Sequence, residues 1–162
     1  MIVFAVSNDQ IAKILNNVAA AYAIRDEKKF RFQILAYQKA AETIEHLNSE
    51  VYDYYKNNTL ESLPGVGSSI KASLEELLRT GKVKHFNELL KNTPEAIFPL
   101  LEIPSFGPKK AYKLVKKFNL TVRQVKAILE IRVSQLTRLE SDKLKTEEKS
   151  LKETIVYLKK LL

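Results

Sequence analysis

Apolar side chains recur at steps of three and four residues along most of the chain, which is the spacing of a helix with one buried face. The clearest stripe, from Ile11 to Tyr22, predicts a first helix that Ser7 or Asn8 can cap. The predicted helices are 8–24, 27–47, a short one capped by Asn48 or Ser49 and ending near 57, then 68–80, 83–91, 94–101 (capped by Thr93) and 108–118. Charged helices follow from Thr121 to Leu162, interrupted at 140–149 by a polar stretch that is either a loop or a frayed helix.

Helix-breaking residues are concentrated in the middle of the chain. All five prolines lie between Pro64 and Pro108, and the 162 residues include only four glycines. The flanking stretches carry no breaker and little of the period-two alternation that is typical of strands. With 45% hydrophobic residues available for a core, the sequence predicts an all-α helical bundle.

Two breaker-rich turns form an internal repeat. Leu63-Pro64-Gly65-Val66-Gly67 matches Ile103-Pro104-Ser105-Phe106-Gly107, forty residues further on, and a helix follows each turn. A repeat of this length indicates a repeated supersecondary unit. The sequence therefore predicts two helix-hairpin-helix elements, and the alternative is a pair of ordinary helix–helix corners.

A tight glycine turn that opens a helix suits a phosphate group. The first N–H groups of the helix lack carbonyl partners and lie at the positive end of its dipole. Glycine lets a phosphate oxygen approach the backbone closely. The candidate DNA-binding residues are Gly65, Val66, Gly67, Ser68, Ser69 and Lys71 at the first turn, and Ser105, Phe106, Gly107, Lys109, Lys110 and Lys113 at the second.

The charge pattern also indicates nucleic acid. The formal net charge is +8, which favours an anionic partner, either nucleic acid or a membrane surface. The segment 103–129 carries seven Lys and Arg and no Asp or Glu, whereas a solvated face normally mixes both signs. No helix rich in Arg, Asn and Gln adjoins the turns, so we expect contacts to the DNA backbone without sequence preference.

Several other classes of protein are disfavoured by the sequence. The chain has no Cys, and His46 and His85 lack the spacing of metal ligands. No apolar run approaches the ~20 residues of a membrane span, so no membrane partner is expected. The first residues lack the basic start of a secretory signal, which predicts an intracellular protein of the cytoplasm or of the nucleus or nucleoid.

At these turns the chain resembles the amino-terminal region of family X DNA polymerases, the polymerase beta type. The resemblance rests on the first turn with Ser69-Ile70, on Leu77-Leu78-Arg79-Thr80-Gly81-Lys82, and on Ala36-Tyr37-Gln38-Lys39-Ala40-Ala41, and it covers about 7–120. It implies a helical domain at 1–91 that holds the 5′ side of a DNA gap. It also implies a second hairpin within 92–162 that grips the primer side, followed by a C-terminal helical extension.

The family resemblance further implies a monovalent cation, Na⁺ or K⁺, at each hairpin, and no required cofactor. The carbonyls that would hold the two ions belong to Glu61, Leu63 and Val66, and to Leu101, Ile103 and Phe106. At Ser105 the family usually has glycine, so the second turn is expected to be looser or shaped differently.

Many family members are also 5′-deoxyribose-phosphate lyases, in which a Lys amine attacks the sugar aldehyde. Here the matching position is Ser73, and Phe32 and Gln33 replace a His and a Lys that the family places near the start of the second helix. A hydroxyl cannot form an imine, so little lyase activity is expected. The alternative is a lyase that uses a non-standard lysine, namely Lys71, Lys82 or Lys84.

Polymerase chemistry requires carboxylates that hold two Mg²⁺ ions. The chain has no Asp-x-Asp pair, because its only aspartates are Asp9, Asp26, Asp53 and Asp142. We therefore expect no catalysis by this chain alone. A further alternative is a protein-interaction module in which the helices from Thr121 to Leu162 dock a partner or a second copy.

Overall fold

The structure of the protein is a computed structural model, which describes residues 6–103 and 106–130. These residues form helices and no strand, which confirms the predicted all-α fold. The elements are α1 (Asn8–Asp26), α2 (Arg31–Glu45), α3 (Val51–Lys56), the 3₁₀ helix η1 (Leu60–Ser62), α4 (Ser68–Thr80), α5 (Lys84–Lys91), the 3₁₀ helix η2 (Glu95–Glu102), α6 (Pro108–Phe118), and a helix over 122–130.

The chain divides into two compact units, Met1–Leu120 and Thr121–Leu162, and the first contains both predicted hairpins. In the first unit, α1 is the central helix and packs against α2, α5 and α6. Its residues Ile11, Leu15 and Val18 are fully buried. In the second unit, Thr121 caps the helix over 122–130 through a hydrogen bond from the Gln124 N–H to its hydroxyl. The part of the predicted C-terminal helices that follows residue 130 lies outside the described residues.

Local sequence signals place several helix ends correctly. Ser7 and Gln10 form a reciprocal capping box at the start of α1, in which each side chain accepts the other residue's N–H. Helix α4 ends at Gly81, and α6 ends at Asn119, where φ is 73° and 48°. Both residues adopt the left-handed conformation that terminates a helix, as predicted.

Two predicted helix starts are wrong. Helix α1 continues to Asp26, and α2 begins at Arg31 rather than Glu27. The Asp26 carboxylate accepts the Lys29 N–H at 3.0 Å, a local hydrogen bond that holds a turn between the helices. Neither Asn48 nor Ser49 caps α3. Instead, the Asn8 side chain accepts the Val51 N–H at 2.9 Å and donates to the Ser49 carbonyl at 2.9 Å.

The helix before the second turn also differs from its prediction. Pro94, with ψ at 125°, precedes η2 instead of occupying its first turn, so Thr93 is not the cap. The segment is 3₁₀ and contains Pro99. A proline inside a helix has no N–H to donate, and its ring clashes with the carbonyl four positions back, which disfavours a regular α-helix over this segment.

Candidate nucleic-acid interface

The first hairpin connects η1 to α4 through a tight turn. The Val66 N–H donates to the Leu63 carbonyl at 3.0 Å, and Gly65 lies between them with φ at 85°. Leu63 and Val66 are buried, so the turn is anchored by its two apolar residues while its polar backbone stays near the surface. Gly67 then caps α4 with φ at −82° and ψ at 175°, and its carbonyl accepts the first helical N–H, that of Lys71, at 2.9 Å.

The second hairpin repeats the hydrogen bonds of the first at its described residues. The Phe106 N–H donates to the Ile103 carbonyl at 3.1 Å, and the Ala111 N–H donates to the Gly107 carbonyl at 3.1 Å. Gly107 caps α6 with φ at −71° and ψ at 160°, close to the values of Gly67. A 3₁₀ helix precedes each turn. Pro104 and Ser105 lie outside the described residues, so the predicted effect of Ser105 stays a prediction.

Free backbone donors are present at the start of α4. Among the residues that the structure describes, no acceptor bonds to the N–H groups of Ser68, Ser69 and Ile70, and no side chain caps this helix. Ser68 and Ser69 are exposed. In α6, Pro108 has no N–H, so the first donors are those of Lys109 and Lys110. A helix start of this kind, with the dipole aligned toward it, attracts an anion.

The two cap glycines have open space beside them. A Cβ built on Gly67 or on Gly107 would meet nothing within 4 Å among the described residues. Their φ values are also ones that any residue adopts, so neither the fold nor the backbone conformation requires glycine there. As far as the described residues are concerned, the space next to these caps is therefore open to a ligand oxygen.

Gly65 has a different role, which the sequence did not reveal. A Cβ on Gly65 would lie 2.7 Å from the Ala40 backbone nitrogen and 2.9 Å from Lys39 Cγ. The Thr43 hydroxyl donates to the Pro64 carbonyl at 2.9 Å. The first turn thus rests on α2 at Lys39 and Ala40, within its Ala-Tyr-Gln-Lys-Ala-Ala segment, and the small side chain of the fully buried Ala40 allows the close approach. The small residues of that segment are the sequence feature from which this close approach could have been predicted.

The predicted lysines lie on the exposed surface of α6. Lys110, Lys113, Lys116 and Lys117 are exposed, whereas Ala111 and Val115 face the core. Lys109 is paired: its ammonium lies 2.6 Å from Glu27 Oε2 in the turn between α1 and α2. The hydrogen bond from Lys109 and its charge hold the pKa of the Glu27 carboxyl below its usual range.

The pairing of Lys109 changes how the basic segment is interpreted. Residues 103–129 have no acid of their own, but the fold brings a carboxylate to their first lysine. Lys71, at the first hairpin, is likewise 3.5 Å from Glu61 Oε1. In each pair the glutamate side chain is more than half exposed, so the interaction is weak and a phosphate can displace the carboxylate.

The position that matches the lyase lysine lies beside Tyr37. Ser73 is buried, and its hydroxyl donates to the Ser69 carbonyl at 3.1 Å. Burial raises the pKa of Tyr37 to about 12, the neighbouring Tyr22 adds to the shift, and the Ser73 hydroxyl opposes it. The fold therefore brings Tyr37 and Ser73 together. Phe32 and Gln33 are exposed at the start of α2.

A metal-binding cluster and a membrane-spanning helix are both absent from the part of the chain that is described. No group of three or more His, Cys, Asp or Glu side chains is arranged to hold a metal ion there. None of the helices over residues 6–103 and 106–130 is long and apolar enough to cross a membrane.

Comparison with known proteins agrees with the geometry. Residues 6–83 match the family model of a helix-hairpin-helix domain. A DNA polymerase/3′-5′ exonuclease PolX from Bacillus subtilis (strain 168) is 28% identical over 110 residues, which are 68% of this chain and 18% of that protein. The chain thus contains a DNA-binding helix-hairpin-helix domain, and the resemblance to the amino-terminal region of family X DNA polymerases is confirmed.

Proposed function

We propose that this chain, whose helix-hairpin-helix domain is related to the amino-terminal region of family X DNA polymerases, binds the phosphate backbone of gapped, nicked or end-containing DNA without reading its sequence. The observation that carries the proposal is the matching backbone of the two hairpins. Each turn presents the start of a helix and a cap glycine with open space beside it. One such turn holds one phosphate, and two turns in one compact unit hold the backbone at two points.

Two features of the site support recognition of DNA structure over sequence. The donors at the first hairpin are backbone N–H groups and serine hydroxyls, which bind phosphate oxygens equally well on any sequence. The exposed lysines of α6 add charge next to the second hairpin. A continuous duplex is stiff, whereas a gap or nick lets the DNA bend so that two separated turns can engage its backbone together. Gaps and nicks are therefore the proposed targets.

A monovalent cation at each hairpin is part of this proposal. The Leu63 and Ile103 carbonyls each accept one turn hydrogen bond, which leaves each oxygen a second lone pair for an ion. With Glu61 and Val66 at the first hairpin, and Leu101 and Phe106 at the second, they would supply oxygen ligands of the type that Na⁺ and K⁺ prefer. A bound ion would neutralise carbonyl charge close to an approaching phosphate.

The proposed function is tested by comparing DNA structures. We expect tighter binding to gapped or nicked DNA than to an intact duplex of equal length and composition. Shuffling the sequence should change the affinity by no more than about twofold, because backbone contacts carry no base information. Titrations by fluorescence anisotropy at several salt concentrations measure both quantities. Equal affinity for gapped and intact DNA would contradict structure selectivity, and a strong sequence preference would contradict backbone recognition.

We also expect no enzymatic deoxyribose-phosphate lyase activity, because Ser73 provides no amine for an imine with the sugar aldehyde. The measurement is borohydride trapping on a pre-incised abasic site, for the natural protein and for Ser73→Lys. Ser73→Met is the matched control, with similar length and no amine. Efficient trapping by the natural protein that Ser73→Lys does not increase would show that another lysine, such as Lys71, Lys82 or Lys84, performs the reaction.

A further inference from the structure

A cleft of about 380 Å³ lies between the C-terminal end of α1, the end of α5 and the middle of α6. This volume is within the range of small-molecule binding sites. The apolar part of its wall comes from Ala21, Ile24 and Leu89. No described residue of either hairpin turn lines the cleft, so it is separate from the phosphate sites proposed at the two turns.

Thr93 supplies a hydroxyl to the wall of this cleft. The residue is only 9% exposed, and its hydroxyl makes no hydrogen bond to another described residue. No side-chain oxygen or nitrogen of the described residues is fully enclosed without a partner, so the Thr93 hydroxyl opens onto the cleft that Thr93 lines. A largely buried hydroxyl is costly without a partner, so it binds a polar group that occupies the cleft.

An aromatic ring and an amide belong to the same wall. Tyr112, from α6, is half-buried, and its ring offers a flat apolar surface to a planar ligand. Asn92 lies exposed at the end of α5, and its amide carries both hydrogen-bond donors and an acceptor. An amide of this kind bonds well to the edge of a nucleobase. The wall therefore combines a stacking surface with groups that recognise a heterocyclic base.

Positive charge surrounds the cleft. Arg25 lines it, is exposed, and forms no ion pair with a carboxylate of the described residues. The Lys116 ammonium lies 5.7 Å from the centre of the Tyr112 ring. Lys109, three positions before Tyr112, adds a third cation on this side of α6, although it pairs with Glu27. The cleft therefore favours a ligand that carries negative charge.

We infer that this cleft binds a free nucleotide. Its base stacks on Tyr112 and bonds to Asn92 and Thr93. Its phosphate lies against the Arg25 guanidinium, which forms strong hydrogen bonds to phosphate oxygens. A bare phosphate would leave the ring and the apolar wall unused, and an apolar ligand would leave the hydroxyl and the guanidinium without partners. The inference goes beyond the proposed function and does not depend on it.

The test compares adenosine 5′-monophosphate with adenosine and with ribose 5-phosphate, by NMR titration of the full chain. The whole nucleotide should bind more tightly than either part of it. Thr93→Val keeps the shape of the side chain and removes the hydroxyl, so affinity should fall roughly three- to tenfold, the effect of one hydrogen bond. Tyr112→Leu keeps an apolar side chain and removes the ring, so affinity should fall by roughly tenfold or more.

Arg25→Gln separates the contribution of the phosphate from that of the base. It should weaken binding of adenosine 5′-monophosphate by roughly tenfold and leave binding of adenosine unchanged, because only the phosphate meets the guanidinium. Lys28→Gln is the matched control, since it also removes one exposed cation near the turn between α1 and α2 but from a residue that does not line the cleft. The inference is overturned if the nucleotide binds no more tightly than ribose 5-phosphate, or if the changes at Thr93, Tyr112 and Arg25 leave its affinity unchanged.

Gapped DNA distinguishes a free nucleotide from a nucleotide within a DNA strand. We expect the protein to bind gapped DNA and adenosine 5′-monophosphate at the same time, and Thr93→Val to leave the affinity for DNA unchanged. If DNA displaces the nucleotide and Thr93→Val weakens DNA binding, the cleft holds part of a strand and the inference is overturned. If the protein binds the nucleotide in the Thr93-dependent way but binds no DNA, the inference stands and the proposed function alone fails.

Discussion

Replacing Lys109, Lys110 and Lys113 with Gln should flatten the salt dependence of DNA binding by about two units in a plot of log affinity against log salt. Each lysine that neutralises a phosphate releases a condensed counterion, worth about 0.9 units of slope on duplex DNA. Lys110 and Lys113 are exposed and adjoin the second hairpin, so each is expected to contribute one contact.

Lys109 should contribute less than its two neighbours. Its ammonium already pairs with Glu27, so a phosphate that binds it displaces the carboxylate, which takes up a cation from solution and offsets part of the counterion release. Without that pair the expected change would be nearly three units. Two lost contacts correspond to a loss of roughly 60-fold in affinity at 0.1 M salt, relative to a 1 M reference where the counterion effect vanishes.

The control is a triple variant with the same loss of charge on α3 and α5. Lys56, Lys84 and Lys91 are exposed and lie outside both hairpins. Their replacement with Gln should lower the slope much less, because net charge acts at long range and is screened by salt. Affinity and slope that fall equally in both triple variants would show that binding follows net charge alone, and would refute a specific role for α6.

The sequence predicted the features that local chemistry decides. The period of apolar residues located the helices, and the capping box of Ser7 and Gln10 fixed the start of α1. Gly81 and Asn119 end their helices because the left-handed conformation suits those residues. The forty-residue repeat predicted two equivalent turns, and the described atoms of the two turns have matching hydrogen bonds.

The features that the sequence did not predict depend on distant residues. Asn8 caps α3 from another helix, and Glu27 pairs with Lys109 although most of the unit separates them in sequence. The segment 103–129 contains no acidic residue, which indicated a basic face without ion pairs. The fold instead pairs its first lysine with Glu27, a carboxylate from outside the segment. The exposure of Phe32 also depends on distant residues, because the apolar pattern of α2 alone does not show which face of the helix the neighbouring elements leave open.

Alanine at Gly65 and at Gly67 should separate folding from DNA binding. Gly65→Ala forces a side chain into positive φ, which costs about 1–2 kcal/mol. It also places a Cβ 2.7 Å from the Ala40 nitrogen, where a helix backbone cannot move aside. Crowding of this kind costs roughly a further 1–3 kcal/mol. Thermal unfolding should therefore occur about 10 °C lower.

Gly81→Ala is the stability control for Gly65→Ala. Gly81 also has positive φ, at 73°, but it ends α4 and takes no part in the turn between η1 and α4. Its positive φ predicts a conformational loss of about 1–2 kcal/mol. The additional loss in Gly65→Ala then measures the contact between the first hairpin and α2. Equal losses in the two variants would show that this contact does not stabilise the fold.

Gly67→Ala should weaken DNA binding while leaving the stability of the fold almost unchanged. Its φ of −82° suits alanine, and the new Cβ meets no described atom within 4 Å, so thermal unfolding should change little. The methyl group would instead lie beside the free N–H groups of Ser68 and Ser69, where the proposed phosphate approaches the backbone. Affinity for gapped DNA should fall several-fold, because a phosphate held further away loses hydrogen bonds to both amides. Calorimetry and anisotropy titrations on the same preparations separate the two effects. If Gly67→Ala binds gapped DNA as tightly as the natural protein does, the first hairpin holds no phosphate at its helix start, and the open space beside Gly67 has no part in DNA binding.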